Sequence, residues 1–341
     1  MGTLLILGSI VWVWSDWSES NPNHKERELR KEDVRGCIVM VLTFRRSDMT
    51  QDDFHEERRR LWSALENWKT HFLSPMGFRY PIVMFHDGWW DRESPENQTR
   101  LKEAVGASQQ DGGRSTGTLL VASMEVDRPL PEMNHHPEDF QIVNDSQGHC
   151  ADRLSHRDAN RILTHLMFES DVLEKFHYWL RFDPSVMLTR PVTMDPFQLM
   201  YDGGYDVGAL ECLGDLTCTE TFYDFVRAYK VSNLIVPSST SFFAAVESDG
   251  IMFGRAALAG RVDFFRKEVV RNLLRAFDAN GGILRNQWDE RHAYTAAIAL
   301  YSSPDKVLTF KNHQLPLSRD NHPISSRKCP ISSRGRSRRR W

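Results

Sequence analysis

An α/β fold with a mostly parallel central sheet and helices on both faces is predicted by three features near the start of the chain. Cys37 to Phe44 (CIVMVLTF) is a continuous apolar run of strand length, as expected of a strand buried on both faces. Phe54, Arg58, Leu61, Leu65, Trp68 and Phe72 then keep a three-or-four spacing, which marks an amphipathic helix. Tyr80 to Phe85 (YPIVMF) is a second buried-type strand. Strand, helix and strand with short connections form a βαβ unit, and such a unit pairs its strands in parallel.

The remaining elements follow in order. Gly106 to Cys150 is rich in Gly, Ser, Asp and Pro, so it reads as a long-looped insertion, with one strand expected at Thr118 to Ala122. Arg157 to Phe168 is helical or mixed. Phe176 to Phe182 is an aromatic strand that ends at Asp183-Pro184. Asp195-Pro196-Phe197 opens a helix, Tyr205 to Leu210 is a short strand and Phe222 to Tyr229 is helical. Ser241 to Val246 (SFFAAV) is read as an apolar strand ending at Glu247. Phe264, Phe265, Val269, Leu273 and Phe277 mark a helix, Gly281-Gly282 breaks the chain, and Trp288 to Tyr301 is helical.

The organisation expected from composition is a short hydrophobic anchor (residues 1–15), a polar stem (16–34), one catalytic domain (35–330) and a basic tail (331–341). The apolar stretch Thr3 to Trp14 is shorter than the roughly 20 residues of a full span. A signal-peptide h-region or a buried strand are its alternative readings. The stem has almost no apolar residues and cannot build a core. The tail, with five arginines between Arg334 and Arg340, reads as a solvated end. Hydrophobic residues at 40% and charged residues at 26% are globular proportions, and a net charge of −3 argues against a nucleic-acid binder. Five cysteines without C-x-x-C spacing argue against a zinc site. Cys212 and Cys218 are placed to close a small loop in an oxidising compartment, and the sequons at Asn97 and Asn144 suit a lumenal location.

Three carboxylate sites stand out. Asp183 ends the aromatic strand, where a hard oxygen ligand suits a divalent metal held against phosphates. The alternative is a turn, which Asp-Pro also starts. Glu247 follows the Ser241 to Val246 run, where it either serves a site or caps a turn. The pair Asp289-Glu290 either serves a site or favours a helix N-terminus electrostatically. In α/β sheets ligands gather at the carboxyl ends of parallel strands, which suits a site reading for all three. Arg45 and Arg46, after the first strand, either face phosphates or are solvated loop cations.

Across about Gly36 to Pro330 the chain resembles the fungal-type Golgi α-1,2-mannosyltransferases, glycosyltransferase family 15. The family's Y-W-R-V-E-P looks like Tyr178-Trp179-Leu180-Arg181-Phe182-Asp183-Pro184 with a one-residue shift, and its D-P-F like Asp195-Pro196-Phe197. Its F-W-S-N-F-E is similar to Phe242 to Glu247, and its G-G-F-Y-Y-E-R-W-G-D to Gly281 to Glu290. Its Y-P-W-V-F-L-N-D looks like Tyr80 to Asp87, and its closing H-x-P…C-P like His322-Pro323 with Cys329-Pro330. The resemblance implies a GT-A-like fold and a retaining mannosyltransferase using GDP-mannose and Mn²⁺. It also implies a glycan or glycoprotein acceptor and a type II anchor in the Golgi or ER membrane, with the catalytic domain in the lumen. Asp183 and His322, with His313 as alternative, are the implied metal ligands, and Glu247 the carboxylate beside the anomeric carbon. Arg45, Asp87, Arg161, Trp288 and Glu290 are the expected donor-binding residues. Three departures bear on activity: Asp183 replaces the family Glu, Asn286-Gln287 replaces its Glu-Arg, and Tyr294 stands at its following His. Another nucleotide-sugar donor, or an inactive glycan- or partner-binding paralogue, are the alternative functions.

Overall fold

The computed structural model describes residues 34–43, 51–106, 117–126, 154–214, 220–285, 288–319 and 322–324. They all belong to one compact unit. The expected anchor and basic tail, the whole of the stem except Val34, Arg45 and the second sequon lie outside the described residues. Among the described residues no helix is long and apolar enough to cross a membrane.

The chain begins with the expected βαβ unit: β1 (Gly36–Leu42), α1 (Gln51–Trp68) and β2 (Ile82–His86). Two helices, α2 (Trp89–Arg92) and α3 (Pro95–Ala104), lead to β3 (Leu119–Ser123), the strand expected inside the insertion. Then α4 (Leu154–Arg161) continues through one π turn into α5 (Met167–Glu169), and α6 (Asp171–Glu174) follows. The aromatic strand is β4 (Tyr178–Phe182), and the short β5 (Met187–Leu188) lies just beyond the Asp183 turn. Next come α7 (Pro196–Asp202), β6 (Val207–Ala209), β7 (Cys212–Gly214), α8 (Glu220–Ser232) and α9 (Thr240–Asp249). The chain then runs through β8 (Ile251–Phe253), β9 (Ala257–Arg261), α10 (Val262–Arg266), α11 (Glu268–Ala279) and α12 (Gly282–Arg285). It ends with α13 (Glu290–Tyr301), β10 (Val307–Thr309), β11 (Leu317–Arg319) and β12 (His322–Pro323).

The central sheet has the order β10-β6-β9-β4-β1-β2-β3. Pairing is parallel between β1 and β2, β1 and β4, β2 and β3, and β6 and β10. Only β9 runs against its neighbours β4 and β6. The mostly parallel sheet of the sequence reading is therefore present, with one reversed strand inside it. Successive strand residues serve opposite cores: Cys37 and Val39 pack on one face, Ile38 and Met40 on the other. Each such fully buried aliphatic side chain contributes about 1.5–3 kcal/mol, so the paired strands are held from both sides.

One element differs in kind from the sequence reading. Ser241 to Val246 is not a strand but part of helix α9. Phe243 and Val246 are buried while Ala244 between them is exposed, a spacing of three that suits a helix. The strand occurs later, as β9, whose Ala-Leu-Ala-Gly-Arg sequence carries little β signal. Small residues are needed there: a Cβ on Gly260 would lie 2.6 Å from Phe265 and 2.7 Å from Trp179. Cys37 is a buried free thiol, and Cys212 is disulfide-bonded to a partner outside the described residues.

Candidate active site at the sheet edge

Strand β4 is central, hydrogen-bonded to β1 on one side and β9 on the other. Its end delivers Asp183 to the edge where the parallel strands finish. The Asp183 N–H donates to the Ala256 carbonyl at 3.2 Å, which ties the turn to the entry of β9. Asp183 Oδ1 accepts from the Ser185 N–H at 2.8 Å and from the Ser185 hydroxyl at 2.6 Å. Burial alone would push this carboxyl up. The Arg181 charge, the Ser185 bonds and the Arg319 charge outweigh it and hold the group below its ordinary range.

Two residues earlier on β4, the Arg181 guanidinium donates to Glu290 Oε1. Glu290 opens α13 and is 1% exposed, and its Oε2 is buried with no hydrogen-bond partner among the described residues. Asp289 caps the same helix, its side chain accepting from the Arg291 N–H at 3.0 Å. The Asp289 carboxylate also accepts from Arg255, at 2.5 Å to one guanidinium nitrogen and 3.2 Å to Nε, and from Arg291 Nε at 2.8 Å. Burial raises this carboxyl's pKa, but His292, Arg291 and Arg255 around it hold it well below the usual carboxylate range. The result is a cluster in which Asp183, Glu290 and Asp289 are interleaved with Arg181, Arg255 and Arg291.

The C-terminal segment returns to this edge. The second sheet has the order β12-β11-β5, and β5 begins two residues beyond Ser185. Ser318 pairs with Met187 and Arg319 with His322. The backbone of His322 is thereby carried to the same end of the molecule as Asp183. His313 lies in the exposed loop before β11. Asp87 directly follows β2, at the same sheet edge as Asp183 but with β1 between. Two strand spacings separate such positions by about 10 Å.

The other expected site residues have different surroundings. Arg161 makes a buried two-pronged pair with Asp278 on α11, at 2.8 Å for each bond. Trp288, expected among the donor-binding residues, is 1% exposed and packed in the core against Phe222, Phe225 and Phe277. Glu247 sits on α9, ion-paired with Arg227 of α8. It lines a shallow apolar groove with Tyr223, Phe243, Ala296 and Ala299. Among the described residues no hydrogen bond or ion pair joins it to the Asp183 cluster. Arg255 and Arg291 escaped the sequence reading because each is a lone arginine outside any motif; only the Asp289 between them in space unites them.

The residues present fit a divalent cation. The two Ser185 bonds both use Asp183 Oδ1, and Oδ2 accepts none among the described residues. Among those residues no three His, Cys, Asp or Glu side chains gather around one point. A cation shared with phosphates needs only one or two protein carboxylates, with phosphate oxygens and waters completing its shell.

A family model described as glycolipid 2-alpha-mannosyltransferase matches residues 131–330. Mannosyltransferase KTR6 of Saccharomyces cerevisiae is 23% identical over 312 residues, covering 87% of this chain and 64% of its own length. O-glycoside alpha-1,2-mannosyltransferase homolog 4 of Schizosaccharomyces pombe is 20% identical over 294 residues, covering 73% of this chain and 64% of its own. The chain spans about half to two thirds of the length of these curated relatives. Among solved structures, core-mannan synthase A (Ktr4) of Aspergillus fumigatus, in its Mn/GDP form, superposes with a TM-score of 0.62 at 16% identity. That match covers 92% of this chain and 82% of the other. Ktr4p of S. cerevisiae gives 0.63 at 14% identity, covering 87% and 73%. At such identities the likeness shows the fold, a GT-A-type glycosyltransferase architecture.

Proposed function

The chain belongs to the glycolipid 2-alpha-mannosyltransferase family, and from that premise we propose that it transfers mannose from GDP-mannose to a mannose-terminated glycan, with retention at the anomeric carbon. The observation that carries this reading is the polar cluster at the end of β4, where Asp183 stands beside Arg181 and its partner Glu290. The proposal takes Mn²⁺ as the cation at Asp183 Oδ2, with His322 as second ligand; the A. fumigatus relative was solved with both Mn and GDP. When bound, the cation supplies charge neutralisation for the departing diphosphate. The enclosed Glu290 is proposed to act through its pair with Arg181, holding that guanidinium beside the donor site. Asp87, directly after β2, and Arg45, which follows β1 in the sequence, are proposed to meet the nucleotide or its phosphates. The Golgi or ER lumen is the proposed location, supported by the disulfide at Cys212. A membrane anchor in residues 1–15 and a lumenal glycoprotein acceptor complete the reading.

The test is release of GDP from GDP-mannose by purified protein with Mn²⁺ and α-mannosides. No release with any mannoside would remove the transferase reading. A second reading is a binding paralogue that holds the nucleotide sugar without turnover. The placement of Glu247 beside Arg227 favours it, as does the absence of a carboxylate on β9, the strand next to β4. GDP-mannose binding with no turnover would establish it.

A further inference from the structure

Two arginines that the family motifs do not cover lie on segments tied to the Asp183 turn. Arg255 precedes Ala256, whose carbonyl accepts the Asp183 N–H. Its guanidinium is braced on one edge by the fully buried Asp289, while 42% of its side chain stays exposed. A braced guanidinium keeps its planar fork in place and loses little freedom on binding an anion. Arg319 lies on β11. Ser318 pairs with Met187, so the next residue, Arg319, falls level with Val186 in the turn that Asp183 starts. The Val186 N–H donates to the Asp183 carbonyl at 3.0 Å. Arg319 is exposed.

Among the described residues, Asp183, Asp289 and Glu290 share this edge with four guanidiniums, from Arg181, Arg255, Arg291 and Arg319. Arg181 and Arg291 are nearly enclosed, with side chains 15% and 14% exposed. Arg255 and Arg319 are the two that reach solvent.

We propose that Arg255 and Arg319 form a two-guanidinium clamp for the diphosphate of the donor, one arm braced by Asp289 and the other delivered by the C-terminal strand pair. This rests on the nucleotide-sugar reading above, but it assigns two residues that the family resemblance leaves without a role. Arginine suits the task because its fork matches two phosphate oxygens at once.

The test measures binding of GDP, inorganic pyrophosphate and guanosine, each with Mg²⁺, to the wild-type protein and to Arg255→Gln, Arg319→Gln and Arg319→Lys. Both glutamine variants should weaken GDP and pyrophosphate about tenfold or more, with guanosine affinity unchanged. Arg319→Lys should recover part of the loss, since a point charge without the fork remains. Circular dichroism checks the fold; Arg319, being exposed, is the cleaner of the two sites. Pyrophosphate affinity within twofold of wild type in both glutamine variants would overturn the clamp, as would no pyrophosphate binding by the wild-type protein. Arginine-dependent pyrophosphate binding with no added affinity for GDP would leave the clamp standing and remove the nucleotide reading.

Discussion

At the scale of single residues, Asp183 starts a turn through its Ser185 bonds on Oδ1, and its Oδ2, which accepts no bond among the described residues, is the oxygen proposed for the cation. Asp183→Asn should therefore weaken the Mn²⁺ dependence of GDP binding while leaving binding in chelator unchanged. An unaltered Mn²⁺ titration, read by calorimetry, would make it a turn residue only. Glu247 has the opposite character. Its carboxylate is committed to Arg227 on a helix surface, so Glu247→Gln should leave any transfer rate within about threefold, as expected of an exposed pair. A loss of orders of magnitude in kcat would return it to the catalytic centre. Gly282 is a third case. A Cβ there would lie 2.0 Å from the Trp288 ring. Gly282→Ala should cost about 1–3 kcal/mol in urea unfolding, as overpacking does. The G-G…W motif is thus explained by packing: the glycine admits the indole, and the indole fills the space between α8 and α11.

Among elements, α13 links fold and site. Its first residues are the cap Asp289 and the site carboxylate Glu290, and its later alanines pack into the core. A single helix start thereby sets the position of two carboxylates and, through them, of Arg181 and Arg255. Asp289→Ala removes the cap and the carboxylate to which Arg255 and Arg291 both donate. It should cost about 2–4 kcal/mol, more than a simple cap loss. Ser94→Ala, which removes the cap of α3 and its 3.3 Å bond from the Asn97 N–H, is the control, with about 1 kcal/mol expected. Equal losses at the two caps, measured by denaturant titration, would mean that the arginines around Asp289 add nothing. Helix α9 teaches a different lesson. Six apolar or small residues read equally well as strand or helix, and the deciding information is which of them face α8 and α13.

For the whole molecule, stability should fall toward acid in two stages. His165 is pushed down by burial, against the partial opposition of Asp278, so the unfolded chain takes up a proton that the folded chain does not. Stability from this group is present above the ordinary histidine range and declines as pH falls below it. Asp183 and Asp289 are also held low, and their contribution is lost as pH falls below the ordinary carboxylate range and through their folded values. Urea titrations at pH 7.5, 5.5 and 3.5 should show both declines, and His165→Gln should abolish the first. A first decline that persists in this variant would assign it to other groups. The sequence by itself determined the alternating α/β plan, the buried strands β1, β2 and β4, and the position of Asp183 at a strand end. These follow from local periodicity, which needs no partner to be read. Only the tertiary structure decided which charges meet. Arg181 and Glu290 are 109 residues apart, and Arg255 reaches Asp289 across 34. Such pairs leave no periodic trace in the chain, because each member sits where its own element ends. The same is true of β9, whose small residues are dictated by the Trp179 and Phe265 rings against them, and of Glu247, which neighbouring helices hold beside Arg227.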